Sequence, residues 1–122
     1  MPLTLSSVII DAAEVEAESA FWHRLLGGSI TRTPTHHFIQ APGLPVLVVQ
    51  SAPGHVAPNW PDGTSQQMHL DFGTDDLAAA DRTATEAGAT RLRPTDDVTP
   101  ETGTGSRVYA SPAGHPFCLR SA

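Results

Sequence analysis

One pattern occurs twice in this chain and restricts its fold more than anything else in it. Leu5 to Asp11 (LSSVIID) is an apolar run, followed by Glu14, Glu16 and Glu18, an apolar end at Phe21, Trp22, Leu25 and Leu26, and then Gly27-Gly28. The order predicts a strand, a helix with an acidic start and a glycine stop. Gln67 to Gly73 (QMHLDFG) opens the same sequence of signals again: Asp75-Asp76 stand where a helix is capped, Leu77, Ala80, Ala84 and Ala87 form a helical stripe, and Gly88 ends it. A repeat of this kind sets the architecture before any single residue is weighed.

Each helix is followed by three short β-like segments broken by turn residues. They are Ser29 to Thr33, His37 to Ala41 and Pro45 to Gln50, then Thr90 to Arg93, Arg107 to Ser111 and His115 to Arg120. Each half therefore reads βαβββ, and the fold class is α+β. Module boundaries fall near residues 1–52 and 65–122, with Pro53, Gly54, Pro58, Pro61 and Gly63 marking 53–64 as a linker. At 122 residues the chain is long enough for one domain with a real core and too short for two independent ones. The loop Pro94 to Ser106, rich in Thr, Asp and Gly, is expected to be mobile.

The formal charge is −6, and all seven basic residues are scattered arginines. That balance disfavours nucleic acid and anionic membranes as partners. No stretch approaches the roughly 20 apolar residues of a membrane helix, and Met1 to Ser7 lacks a signal-peptide layout, so a soluble cytoplasmic protein is expected. The single cysteine, Cys118, permits no intramolecular disulfide and no cysteine cage for zinc.

Two copies of βαβββ resemble the vicinal oxygen chelate superfamily of bacterial glyoxalase and bleomycin-resistance-like proteins. The resemblance is carried by FWHRLLGG (Phe21 to Gly28), HLDFGTDDLAAA (His69 to Ala80) with EAGAT (Glu86 to Thr90), and SPAGHPFCL (Ser111 to Leu119), which is similar to the family's closing Asp-Pro-x-Gly turn with Ser111 in place of Asp. Within that superfamily the chain looks most like the small glyoxalase-like domain proteins. The resemblance implies mixed sheets curled around a cleft, frequent homodimers, and metal ligands from the first and last strand of each module. Those positions here hold Ser7, Gln50, His69 and Cys118, and family enzymes usually carry glutamates where Gln50 and Cys118 stand.

Strand alternation puts His69 and Asp71 on one face, so His69 reads either as a metal ligand with Asp71 behind it or as a cleft histidine bonded to its neighbour. Cys118 reads as a thiolate ligand or as a small buried hydrophobe. Gln50 either faces the cleft as a neutral oxygen ligand or hydrogen-bonds at its strand's end. His36, His37 and His55 read as exposed loop residues. Phe38 and Trp60, with Asp71, are the candidates for holding a flat organic ligand. The leading expectation is a protein that binds a small apolar or aromatic molecule for sequestration or resistance, with no cofactor. The alternative is an enzyme of lyase, isomerase or dioxygenase type with one divalent metal ion on His69, Gln50 and Cys118.

Overall fold

The computed structural model describes residues 3–100 and 103–121. The chain forms two compact units, Met1–His55 and Val56–Ala122. Each is a βαβββ module with one helix and an open four-stranded mixed sheet, the α+β arrangement expected from the repeat.

In the first unit β1 (Ser7–Ala12), α1 (Val15–Leu26), β2 (Ser29–Arg32), β3 (His36–Gln40) and β4 (Val46–Ser51) form a sheet of order β1-β4-β3-β2. β1 runs parallel to β4, and the other pairs are antiparallel. Register puts Ile10, His37 and Val49 on one side and Asp11, His36 and Gln50 on the other. The first side carries the core: Ile39, Leu47 and Val49 are buried beneath Phe21 and Trp22 of α1, whose rings meet edge to face at 5.0 Å. Buried Glu18 accepts the Trp22 indole N–H at 2.9 Å, so its carboxylate costs less to bury than it would unpaired. The turn from α1 into β2 requires Gly28, because its φ is +79° and a Cβ there would overlap the Gln40 carbonyl oxygen.

Here the reading of His36 and His37 as loop residues is corrected. Both begin β3, and His37 is buried with Nδ1 2.7 Å from the Ser19 hydroxyl of α1. The strand expected over His37 to Ala41 begins one residue earlier, and its alternation puts His37 under the helix.

In the second unit β5 (Leu70–Thr74), α2 (Leu77–Ala87), β6 (Thr90–Arg93), β7 (Ser106–Ala110) and β8 (Pro116–Ser121) repeat the plan in the order β5-β8-β7-β6. Asp76 caps α2 by accepting from the Ala79 amide at 3.0 Å. Leu77 and Ala84 are buried, as the stripe requires, but a carboxylate is buried with them. Asp81 accepts from Arg91 Nε and Nη2 at 3.0 and 2.6 Å and from the Tyr109 hydroxyl at 2.7 Å. Tyr109 in turn stacks on Phe117 at 5.3 Å. No helix among the described residues is long and apolar enough to cross a membrane.

Candidate functional site

The second sheet has one face under α2 and one face away from it, and strand alternation sorts its residues between them. Tyr109, Phe117 and Leu119 are buried on the helix side. Asp71, directly across the parallel β5–β8 pair from Cys118, lies on the other, with Val108 beyond it. His69 precedes Asp71 by two and shares its side. Gly114 lets the turn before β8 close: its φ is +90°, and a Cβ there would overlap Ala57. The turn is fastened by the His115 amide donating to Ser111 Oγ at 3.0 Å.

These elements bring three donor groups together. One ligand atom each from His69, Asp71 and Cys118 lies within 4.8 Å of the others. His69 Nε2 stands 3.2 Å from Asp71 Oδ1, and Arg120 Nη1 lies 3.6 Å from the other carboxylate oxygen. Gln66 Nε2 donates to His69 Nδ1 at 2.9 Å, which leaves the ring proton on Nε2, pointing at the carboxylate. The imidazole is thus held at both nitrogens, and Trp60 stacks on its face at 5.7 Å between ring centres, with 23° between planes.

His69 and Asp71 keep a third or more of their side-chain surface in contact with solvent, whereas Cys118 is buried. Burial pushes the Cys118 thiol above its ordinary pKa, and its hydrogen bond to Asp71 and the charge of that carboxylate add to the effect. A hydrogen bond from Ser106 and the charge of Arg120 oppose it. The balance holds Cys118 in its thiol form.

Gln50 and Phe38 belong to the first unit. Gln50 donates to Asp11 Oδ1 at 3.1 Å and sets its carbonyl oxygen 3.2 Å from His36 Nε2, while Phe38 stacks near His36 at 6.3 Å. Thr35 Oγ1 meets the other His36 nitrogen at 2.8 Å. Cys118 is opposite Asp71, two residues past His69, whereas the residue opposite Ile9, two past Ser7, is Val48. Gln50 therefore lies one side-chain repeat beyond the position that matches Cys118. Sequence reasoning missed Gln66 and Arg120. Arg120 was within reach, because it is two residues from Cys118 on the same face; Gln66 precedes its strand, and nothing in the pattern aims it at His69.

The profile of the family described as glyoxalase-like domain matches residues 7–120. No curated protein matches the chain significantly. Among solved structures, a glyoxalase/bleomycin resistance protein/dioxygenase family enzyme from Burkholderia phytofirmans PsJN is similar with a TM-score of 0.72 at 17% identity, covering 98% of each chain. The genomically encoded fosfomycin resistance protein from Listeria monocytogenes, in its hexagonal form, gives 0.72 at 14% identity over 100% of this chain and 95% of that one. Lactoylglutathione lyase from Agrobacterium tumefaciens gives 0.63 at 19% identity over 99% and 95%. Likeness at such identities speaks for the fold alone. With two βαβββ units and a family profile that runs from the start of β1 into β8, the chain belongs to the glyoxalase-like domain family.

Proposed function

We propose that this chain binds a small organic molecule with an apolar or aromatic face, and that Trp60, His69 and Asp71 of the second unit take part in recognising it; Phe38, beside His36 in the first unit, is a separate aromatic candidate. The observation that carries the reading is the Trp60–His69 stack, a flat pair whose imidazole is oriented by Gln66 and Asp71. Aromatic surface with a few oriented polar groups is what small-molecule sites consist of. Sequestration or resistance is the corresponding role, as in the neighbour named for fosfomycin resistance. We further propose that both units act as one domain within a homodimer.

A neutral planar dye such as Nile red tests this, since a chain of net charge −6 repels anionic probes. Saturable enhancement of dye emission is expected, weakened at least tenfold in affinity by Trp60→Ala and by His69→Ala, with melting temperatures close to that of the unaltered protein. Absence of saturation, or identical titrations for all three proteins, would refute the reading.

The triangle of His69, Asp71 and Cys118 favours a second reading, a metal-dependent member of the family. An imidazole, a carboxylate and a thiol are together the donor set of a borderline divalent ion. Gln66 Oε1, buried without a hydrogen-bond partner, suits the same arrangement, because a histidine that ligates through Nε2 needs an acceptor at Nδ1. The residues fit. Such an ion, when bound, supplies Lewis-acid polarisation of an oxygen of the organic ligand.

A further inference from the structure

We infer that residues 56–64 form a strap over the open face of the second sheet, latched at one edge by the Trp60–His69 stack and at the other by an Asp62–Arg93 ion pair. The strap must lift to admit a molecule to the side chains beneath it. Asp62 and Arg93 thereby control how the face is reached, whatever binds there.

Register lays one row of side chains across the whole sheet. Asp71 pairs with Cys118, Cys118 with Val108 and Val108 with Arg93, one residue from each strand. Residues directly opposite each other share a face, so all four stand on the side away from α2. The charged residues occupy the outer strands, β5 and β6, which are three strand spacings or roughly 14 Å apart. The strap is fastened at three points. Ala57 lies against Gly114, in the turn leading into β8, so closely that a Cβ on the glycine would overlap it. Trp60 then stacks on His69, two residues before Asp71, at 5.7 Å between ring centres. Arg93 Nη2 donates to Asp62 Oδ1 at 2.5 Å. With Trp60 held at β5 and Asp62 held at β6, the chain between them is carried over the two middle strands. Cys118, on one of those strands, is only 7% exposed although it faces away from α2.

The latches are light and the piece they hold is stiff. Residues 59–64 close on themselves: the Asn59 amide donates to Thr64 Oγ1 at 2.8 Å, and Gly63 packs against Asn59. They therefore move as one body. The Asp62 and Arg93 side chains are 75% and 61% exposed, so their pair contributes little and is screened by salt. The ring stack, which also buries apolar surface, is the stronger latch. A segment held by one exposed ion pair and one stack opens far more often than the sheet beneath it unfolds.

Alkylation of Cys118 by uncharged iodoacetamide, in the full chain at pH 8 with EDTA present, reads the opening, because this is the chain's single thiol. Asp62→Asn and Arg93→Gln are each expected to speed alkylation about two- to fivefold, the scale of an exposed ion pair. Asp62→Arg combined with Arg93→Asp should return it to the unaltered rate. A change of local charge acting on the thiol alone would instead drive the two single variants in opposite directions. Trp60→Ala should speed alkylation at least about tenfold. Raising NaCl to 1 M should quicken the unaltered protein and leave Asp62→Asn unchanged. Opposite shifts in the two single variants, equal rates in all proteins, or an unaltered rate that climbs in dilute urea as steeply as global unfolding would each overturn the strap. No ligand enters this assay, so those results would leave the proposed binding standing, and a failed dye titration beside the expected rates would leave the strap.

Discussion

Replacing Asp81 by Asn tests the least expected feature of the second unit, a carboxylate in the helix–sheet core. Asp81 is 2% exposed and accepts two bonds from Arg91 and one from Tyr109. Asn keeps the shape and one acceptor oxygen but removes the charge and turns an amide N–H₂ toward the guanidinium. Hydrogen bonds to charged groups are worth about 1.5–3 kcal/mol each, and breaking a buried pair from one side costs about 3–5 kcal/mol. Since Arg91 retains Asp97 at 2.9 Å and is partly exposed, the lower part of that range applies, about 3 kcal/mol at pH 7. For a chain of this length that corresponds to a fall in melting temperature of about 12 °C.

The pH dependence sharpens the test. Burial raises the Asp81 pKa, but the hydrogen bonds from Arg91 and Tyr109 outweigh it and leave the group below its ordinary value of 3.8. A depressed carboxyl pKa contributes stability that is fully present above the unfolded value and lost as pH falls through the folded one. Urea denaturation of both proteins between pH 7 and pH 3 should therefore show a gap that holds down to about pH 5 and narrows below about pH 4. A gap under about 1 kcal/mol at pH 7, or one that does not narrow in acid, would refute the account of this network.

Further outcomes can be checked with the same material. Tyr109→Phe should cost about 1–2 kcal/mol by urea denaturation, and a double-mutant cycle with Asp81→Asn should show coupling above about 0.5 kcal/mol. Leu77→Asp places an unpaired charge at a buried position of α2 and should cost about 3 kcal/mol or more; an unchanged melting temperature would mean the helix face is misassigned. Gly28→Ala should lower the melting temperature by several degrees, because its positive φ and the Gln40 carbonyl oppose a side chain from two directions. Sedimentation at tens of micromolar should show a dimer of the 12.9 kDa chain, and a lone monomer would count against the proposed assembly.

The repeat made the architecture legible because strand, helix and stop signals agree in both copies and each depends on neighbours in sequence. Even the capping aspartate was legible, since Asp76 acts on an amide three residues away. What escaped depends on partners far along the chain. Asp81 interrupts the apolar stripe of α2, and its burial makes sense only with Arg91 and Tyr109, 10 and 28 residues on, which converge on it. The candidate site divides in the same way. Alternation alone puts His69 and Asp71 on one face, because that rule needs only their spacing of two. That Cys118 joins them depends on the register of β5 against β8, and a slip of one residue would have set Phe117 or Leu119 across from Asp71 and turned the thiol to the other face. Gln50 shows the converse. It occupies the last strand of its module as Cys118 does, but register sets it opposite Asp11, four residues along the ladder from the Ser7–Val46 pair. Residue type and position in an element suffice to nominate a ligand; the ladder decides which nominees meet, and here it assembles His69, Asp71 and Cys118 on one sheet face.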